Sequence, residues 1–342
     1  MEFDFTKNLT KQRKIEFADL IKELSERIGF KVSSRGWCYI MEQSGYINKD
    51  QFDKVANAIN DCRKEGYLPV DFVAEESSRA FSGVEKPDDR TLQSVLKWML
   101  EDVLDGAKYF NPDWWDGEEY YIQMVVEKID LVTLFSPVCR EYHIPIANAK
   151  GWSSISQRAE YARRFKEAEN IGLKCVLLYC GDHDPDGLRI SETLRSNLND
   201  VKDVYWSDGE QGYNPKDLII DRFGLNYEFI QENGFTWIDN LVTGSGKDLS
   251  DPRHRNYKMP YVQEYLKTVG ARKCEANVIV TMPRVAKDLV TEIIEKYLGD
   301  DSLERFKAKR DKINEDYEII LDELEIREPI QRAIDIVDKN EM

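Results

Sequence analysis

The chain has 342 residues, 42% of them apolar and 33% charged, enough of each for about two cored domains at roughly 150 residues apiece. With only 19 Gly and 11 Pro, it is neither collagen-like nor a long low-complexity chain. The net charge of −16 excludes nucleic-acid binding by bulk electrostatics, so any such contact needs a local basic surface or bound cations.

The first predicted helix covers residues 11–28, where Ile15, Leu20, Ile21, Leu24 and Ile28 recur near helical spacing and Gly29 follows as a stop. Ser34–Gln43 fits a second helix, with Ser33 or Ser34 as its cap. Lys49–Lys64 fits a third, with Phe52, Val55, Ile59 and Cys62 on one face. Tyr67–Val73 reads as a short β segment. Three helices and a β tail predict a winged-helix-like, DNA-binding domain over 1–82. Residues 83–118 read as a linker carrying one helix (Leu92–Leu104) and a Trp-rich stretch. From Tyr120 onward apolar strands alternate with helices: YIQMVVE, IPIANA and LKCVLLYC are strands, each followed by a helical segment. That alternation predicts an α/β domain over 119–300 with a mostly parallel, doubly wound sheet. Residues 301–342 form a charge-dense helical tail.

None of the six cysteines forms a CxxC pair, which with three histidines leaves no zinc-ligand spacing. They read as reduced core thiols. No apolar run suits a membrane span and the N-terminus lacks a signal-peptide pattern, so a cytoplasmic location without membrane partners is expected.

The chemistry concentrates at two predicted strand ends, where open α/β sheets form their sites. One is Glu127, in VVEKID. The other is CGDHDPDGLRI, with Asp182, Asp184 and Asp186 within five residues. Carboxylates so close repel one another unless a cation sits among them. Oxygen ligands suit Mg²⁺ or Mn²⁺. The competing reading is a solvated acidic turn, with Asp186 capping the helix that begins near Gly187. His183 alternates with the aspartates, which points it away from the metal and toward a substrate or the surface.

A strand-end Glu followed by a strand and a D-x-D-P-x-G loop resembles a Toprim domain, the metal-binding fold of topoisomerases, primases and related nucleases. The form VVEK then GDHDPDG is most similar to the topoisomerase VI A subunit and its relative, the meiotic double-strand-break protein. RKCEANVI (272–279) is similar to a later acidic element of that family, with Glu275 at the acidic position; an ion pair of Glu275 with Arg272 or Lys273 is the structural alternative. The family sets a winged-helix domain before the Toprim domain and carries in it an R-x-x-x-Y motif, matched here by Arg35 and Tyr39. Gly36 and Cys38 depart from the usual residues around that tyrosine.

The resemblance implies Mg²⁺- or Mn²⁺-dependent cleavage of double-stranded DNA by a homodimer. Tyr39 is then the nucleophile forming a 5′-phosphotyrosyl link, Arg35 its phosphate partner and Glu127 the proton-handling group, while Glu127, Asp182, Asp184 and Asp186 hold metal. Strand passage implies a separate ATPase subunit, because LVTGSGKDL (241–249) is not a P-loop. Such a tyrosine should stand on an exposed face of the helical domain. Two alternatives are a Toprim nuclease in which water attacks, and a non-catalytic DNA-binding or assembly protein.

Overall fold

The computed structural model describes residues 9–74, 87–149, 154–206, 212–242 and 248–340, together with positions 5, 209 and 246. Two compact units emerge. One joins Met1–Glu75 to Glu118–Gly299, and the other joins Glu76–Gly117 to Asp300–Met342. The three-helix segment and the α/β segment thus share the first unit, while the segments read as linker and tail share the second.

In the first unit, α1 (Lys11–Ile28) starts at Thr10, whose side chain accepts from the Arg13 N–H, and ends at Gly29 with φ 77°. α2 (Ser34–Gln43) is capped by Ser33. A 3₁₀ turn at Lys49–Gln51 leads into α3 (Phe52–Lys64). The α3 face foreseen from spacing is buried throughout, and of the α1 residues Ile21, Leu24 and Ile28 are buried with Phe17 and Ala18 while Ile15 and Leu20 are half-buried; α1 packs on α3. Each buried Ile, Leu, Val or Phe side chain among them contributes about 1.5–3 kcal/mol. The β segment expected at 67–73 is a run of turns instead. Leu68 and Val73 are buried as separate anchors. The Val70 carbonyl is taken by the Arg63 guanidinium at 2.8 Å rather than by a neighbouring strand.

The α/β part has β1 (Tyr120–Val126), β2 (Ile146–Asn148), β3 (Lys174–Cys180) and β4 (Ile219–Arg222), all parallel in the order β2-β1-β3-β4. β1 and β3 read as near-continuous apolar runs because both their faces are covered. α5 (Ile129–Glu141) carries the chain from β1 to β2, α6 (Ile155–Asn170) from β2 to β3, and α7 (Ile190–Asn199) from β3 to β4. One crossover runs in one direction along the sheet and two in the other, so right-handed connections put α5 on one face and α6 with α7 on the opposite face. The packing agrees: α5 meets α10 (Pro283–Leu298), while α6 meets α7. Two further helices, α8 (Tyr227–Glu232) and α9 (Pro260–Thr268), follow β4. The order reverses between β1 and β3, and at such a switch the loops diverge and leave a crevice at the carboxyl ends of the strands.

The second unit contains α4 (Leu92–Leu104), α11 (Ser302–Glu323) and α12 (Arg327–Asn340), with α4 packed on α12. Lys309 donates to the carbonyls of Trp114 and Asp116 at 2.7 and 2.6 Å. Among the described residues its buried side chains are few, and α4 has none.

Candidate active site

Glu127 and Asp182 both lie at the switch point, one residue past β1 and two past β3. The strands are in register there, Val126 opposite Cys180, and the Glu127 N–H donates to the Cys180 carbonyl at 2.9 Å. The Asp182 N–H donates to Glu127 Oε2 at 2.8 Å. Gly181 makes this approach feasible, because a Cβ there would lie 2.5 Å from the Tyr179 hydroxyl and 2.7 Å from Glu127 Oε2.

The cation between the two carboxylates is the chain's own. Lys128 Nζ lies 2.7 Å from Glu127 Oε1 and 2.8 Å from Asp182 Oδ2. Asp182 Oδ1 accepts from the Ala276 N–H at 2.7 Å. Burial acts to lower the Lys128 pKa, but Asp182 and Glu127 on its two sides raise it well above the ordinary lysine value. Burial likewise acts to raise Glu127, and Lys128 with the Asp182 N–H holds it below its usual value. Asp182 goes the other way, raised by burial against the pull of Lys128.

Asp184 and Asp186 take different roles. Asp184 Oδ1 accepts from the Gly187 N–H at 2.6 Å, so Asp184, not Asp186, secures the turn into the helix. Asp186 makes no such cap and accepts instead from the Tyr261 hydroxyl at 3.0 Å. Glu127, Asp184 and Asp186 line one cleft of about 590 Å³ with Tyr179, Arg189 and Tyr261. Among the described residues no group of three or more His, Cys, Asp or Glu side chains is drawn together as a metal cage. Both oxygens of Asp182 and both of Glu127 are engaged within the chain, so of the three carboxylates that line the cleft Asp184 and Asp186 are the ones placed to receive a hard cation. Their all-oxygen donor set is of the right class for Mg²⁺ or Mn²⁺.

His183 is buried rather than at the surface. Its Nδ1 lies 2.6 Å from the Leu225 carbonyl, presented by a backbone with φ 40°, and its ring packs on Trp237 and Tyr265. Burial pushes its pKa down to about 4, which keeps the ring neutral. Arg222, which spacing did not single out, is the clamp on the acidic loop. From the end of β4 it donates to the carbonyls of Gly187 and Asp182 at 3.1 and 3.0 Å.

Tyr39 does not stand on an exposed face. It is only 4% exposed, packs edge-on against Phe52, and donates its hydroxyl to Glu275 Oε2. Lys49 pairs with Glu275 Oε1, with Lys273 3.8 Å away. Thus Lys273, one of the two partners expected for Glu275, lies within ion-pair reach, and Lys49 is the closer cation. Burial pushes Glu275 up to about 7 against the pull of Arg35, and burial also pushes Lys49 down to about 8. The Arg35 guanidinium lies 5.8 Å from the Tyr39 ring centre and 3.8 Å from Asp53. Ala276, the neighbour of Glu275, holds Asp182, so tyrosine and carboxylate cluster of one chain approach the same short segment.

The departure at Gly36 has a steric cause. A Cβ there would lie 2.3 Å from Val32 Cγ1 and 2.6 Å from Asp130 Oδ2. Asp130 sits against the start of α2 and accepts from the Ser33 N–H and hydroxyl at 2.9 and 2.8 Å. In the basic runs at 11–14, 163–164, 253–255 and 305–312, Lys14 pairs with Glu65, Arg163 with Glu167, Arg253 with Asp251 and Arg305 with Asp301. All six cysteines are free and buried, as expected. Among the described residues no helix is long and apolar enough to cross a membrane. No family model, no curated protein and no solved structure matches this chain.

Proposed function

We propose that the cleft at the ends of β1 and β3 cleaves phosphodiester bonds of DNA in a Mg²⁺- or Mn²⁺-dependent reaction, as a Toprim-type nuclease in which water attacks. The observation that carries this reading is the convergence of Glu127, Asp184 and Asp186 on one cleft at the topological switch point. The sequence resemblance to Toprim enzymes supplies the substrate class. A metal ion on Asp184 and Asp186 would neutralise phosphate charge as it develops. Lys128 holds Glu127 ionised and fixed in orientation, which suits a carboxylate that accepts a proton from water. Arg222 and the Gly187 N–H hold the acidic loop in shape before substrate arrives.

The second reading, a topoisomerase VI A-like enzyme with Tyr39 as nucleophile, is favoured by one contact: Tyr39 already donates its proton to a carboxylate that Lys49 orients. Burial of Tyr39 weighs against it, since the clasp must open before DNA can reach the hydroxyl. In that reading the chain works with a separate ATPase subunit.

The test is incubation with supercoiled plasmid and Mg²⁺ or Mn²⁺, with and without protease before electrophoresis. The nuclease reading expects nicked or linear DNA that migrates alike in both lanes, and loss of cleavage in Asp184→Asn, whose amide oxygen still accepts from the Gly187 N–H. DNA released only by protease supports the tyrosine. No cleavage with either metal leaves the non-catalytic DNA-binding or assembly protein.

A further inference from the structure

Lys128 holds a position that a metal ion often takes between carboxylates. Two-metal sites set a pair of divalent ions about 3.5–4 Å apart, flanked by such side chains. Here Glu127 Oε1 and Asp182 Oδ2 close on Lys128 Nζ instead, at 2.7 and 2.8 Å. The other oxygen of each carboxylate accepts from a backbone N–H, Glu127 Oε2 from Asp182 and Asp182 Oδ1 from Ala276. Lys128 is the residue before α5, whose first turn is anchored by the buried Asp130 and Leu131. The ammonium is therefore tethered to the chain beside the carboxylate it neutralises, and its side chain is only 25% exposed.

We propose, resting on the reading of the cleft as a metal-dependent centre, that Lys128 stands in for a second metal ion, so that the cleft takes one divalent ion per chain, on Asp184 and Asp186. Geometry closes the Glu127–Asp182 pair to an ion. Mg²⁺ binds oxygen at about 2.0–2.1 Å in near-octahedral geometry and gives up its waters reluctantly. In place of the ammonium it would need both oxygens several tenths of an ångström closer, while two backbone N–H groups hold the carboxylates where they are. Asp184 and Asp186 are placed differently. Both line the cleft, and each spends one oxygen, on the Gly187 N–H and on the Tyr261 hydroxyl. Charge points the same way. Lys128 and the clamp Arg222 offset two of the four carboxylates at this loop, and Arg189 is taken up by Glu192. One divalent ion then balances the remaining two carboxylates before any phosphate arrives, and a second would overfill a partly buried site with positive charge. Lys128 acts through Glu127, which lines the cleft, and is a positioning residue: it fixes that carboxylate before any ion binds.

The experiment counts bound ions, with Mn²⁺ alone as the probe. Mn²⁺ is titrated into the intact chain, and the free ion is followed by electron paramagnetic resonance, whose sharp aqueous signal is lost on binding. The count needs neither DNA nor turnover. Wild type should bind one Mn²⁺ per chain, and Asp184→Asn combined with Asp186→Asn should bind none. Lys128→Met should bind two, because Glu127 and Asp182 are then left without a cation. Lys128→Arg, which keeps a cation at the position, should bind one. Circular dichroism checks that each variant keeps its helices; where Lys128→Met does not fold, the wild-type and Lys128→Arg counts still decide. Two ions on wild type, two on Lys128→Arg, or one on folded Lys128→Met overturns the proposal and leaves the metal-dependent cleft standing. No ion on wild type, or an ion that survives the paired asparagine substitutions, removes the metal from the cleft and this proposal with it.

Discussion

Replacing Tyr39 by Phe removes a single oxygen from a buried position, and its effect on stability follows from what that oxygen touches. The hydroxyl donates to Glu275, and both side chains are under 10% exposed. A hydrogen bond to a charged acceptor contributes about 1.5–3 kcal/mol, against about 1 kcal/mol for a neutral one. The acceptor changes charge within the accessible pH range, because burial raises Glu275 from 4.5 to about 7. The sign of the pH dependence is fixed by that direction. The folded state binds the Glu275 proton more tightly than the unfolded chain does, so the associated stability is complete below about pH 4.5 and is lost as pH rises through about 7. The wild-type chain should lose about 3 kcal/mol from this group over that window. Tyr39→Phe should then cost about 1 kcal/mol at pH 5, where the acceptor is a neutral acid, and about 2 kcal/mol at pH 8, where it is a carboxylate. At roughly 2–4 °C per kcal/mol for a unit of this size, the melting temperature should fall by about 3 °C at pH 5 and about 6 °C at pH 8. Scanning calorimetry at the two pH values measures both, with Glu275→Gln and the double variant closing a mutant cycle. Equal losses at the two pH values would refute the reasoning, because Glu275 would then not be the group that titrates against Tyr39.

The other outcomes test separate parts of the structure. Lys128→Met leaves Glu127 and Asp182 without their shared cation and should cost about 3–5 kcal/mol; millimolar Mg²⁺ should restore part of the loss in thermal melts, and a variant as stable as wild type without metal would sink the account of Lys128. Gly36→Ala should destabilise by about 1–3 kcal/mol in urea titrations despite the better helix propensity of Ala, since its Cβ would enter the space of Val32 and Asp130; an unchanged midpoint would count against that steric argument. Asp184→Asn should leave the unfolding free energy within about 1 kcal/mol of wild type while abolishing plasmid cleavage, and a variant that cleaves normally removes Asp184 from the proposed site.

The parts of the fold carried by local pattern were legible in the sequence. α1, α2 and α4 and the long strands β1 and β3 stand where apolar spacing and caps put them, because each needs only its own residues to declare a buried face. β4 escaped notice: four half-buried residues carry no alternation and form a strand only because the edge of β3 is open to them. The segment at 67–73 failed in the opposite sense, having strand-like composition but no neighbouring strand. At the site, Glu127 and the aspartates were legible because strand-end loops gather function. Lys128 stands beside Glu127 in the sequence, yet its role depends on Asp182, 54 residues away. The clasp between Tyr39 and Glu275 spans 236 residues, and no spacing rule reaches that far.

That span also orders events during synthesis. α2 packs against the 3₁₀ turn at Ala276–Thr281, and Tyr39 finds its acceptor one residue before it. At roughly 5–20 residues per second, the ribosome needs about 10–50 s after making α2 before Glu275 exists. Throughout that interval the three helices can build their shared core, but the face bearing Tyr39 has nothing to close on. The first helices of the chain therefore wait, half finished, for the 3₁₀ turn that leads into α10, the closing helix of their own unit, and a nascent chain arrested before residue 275 would display the tyrosine that the finished protein hides.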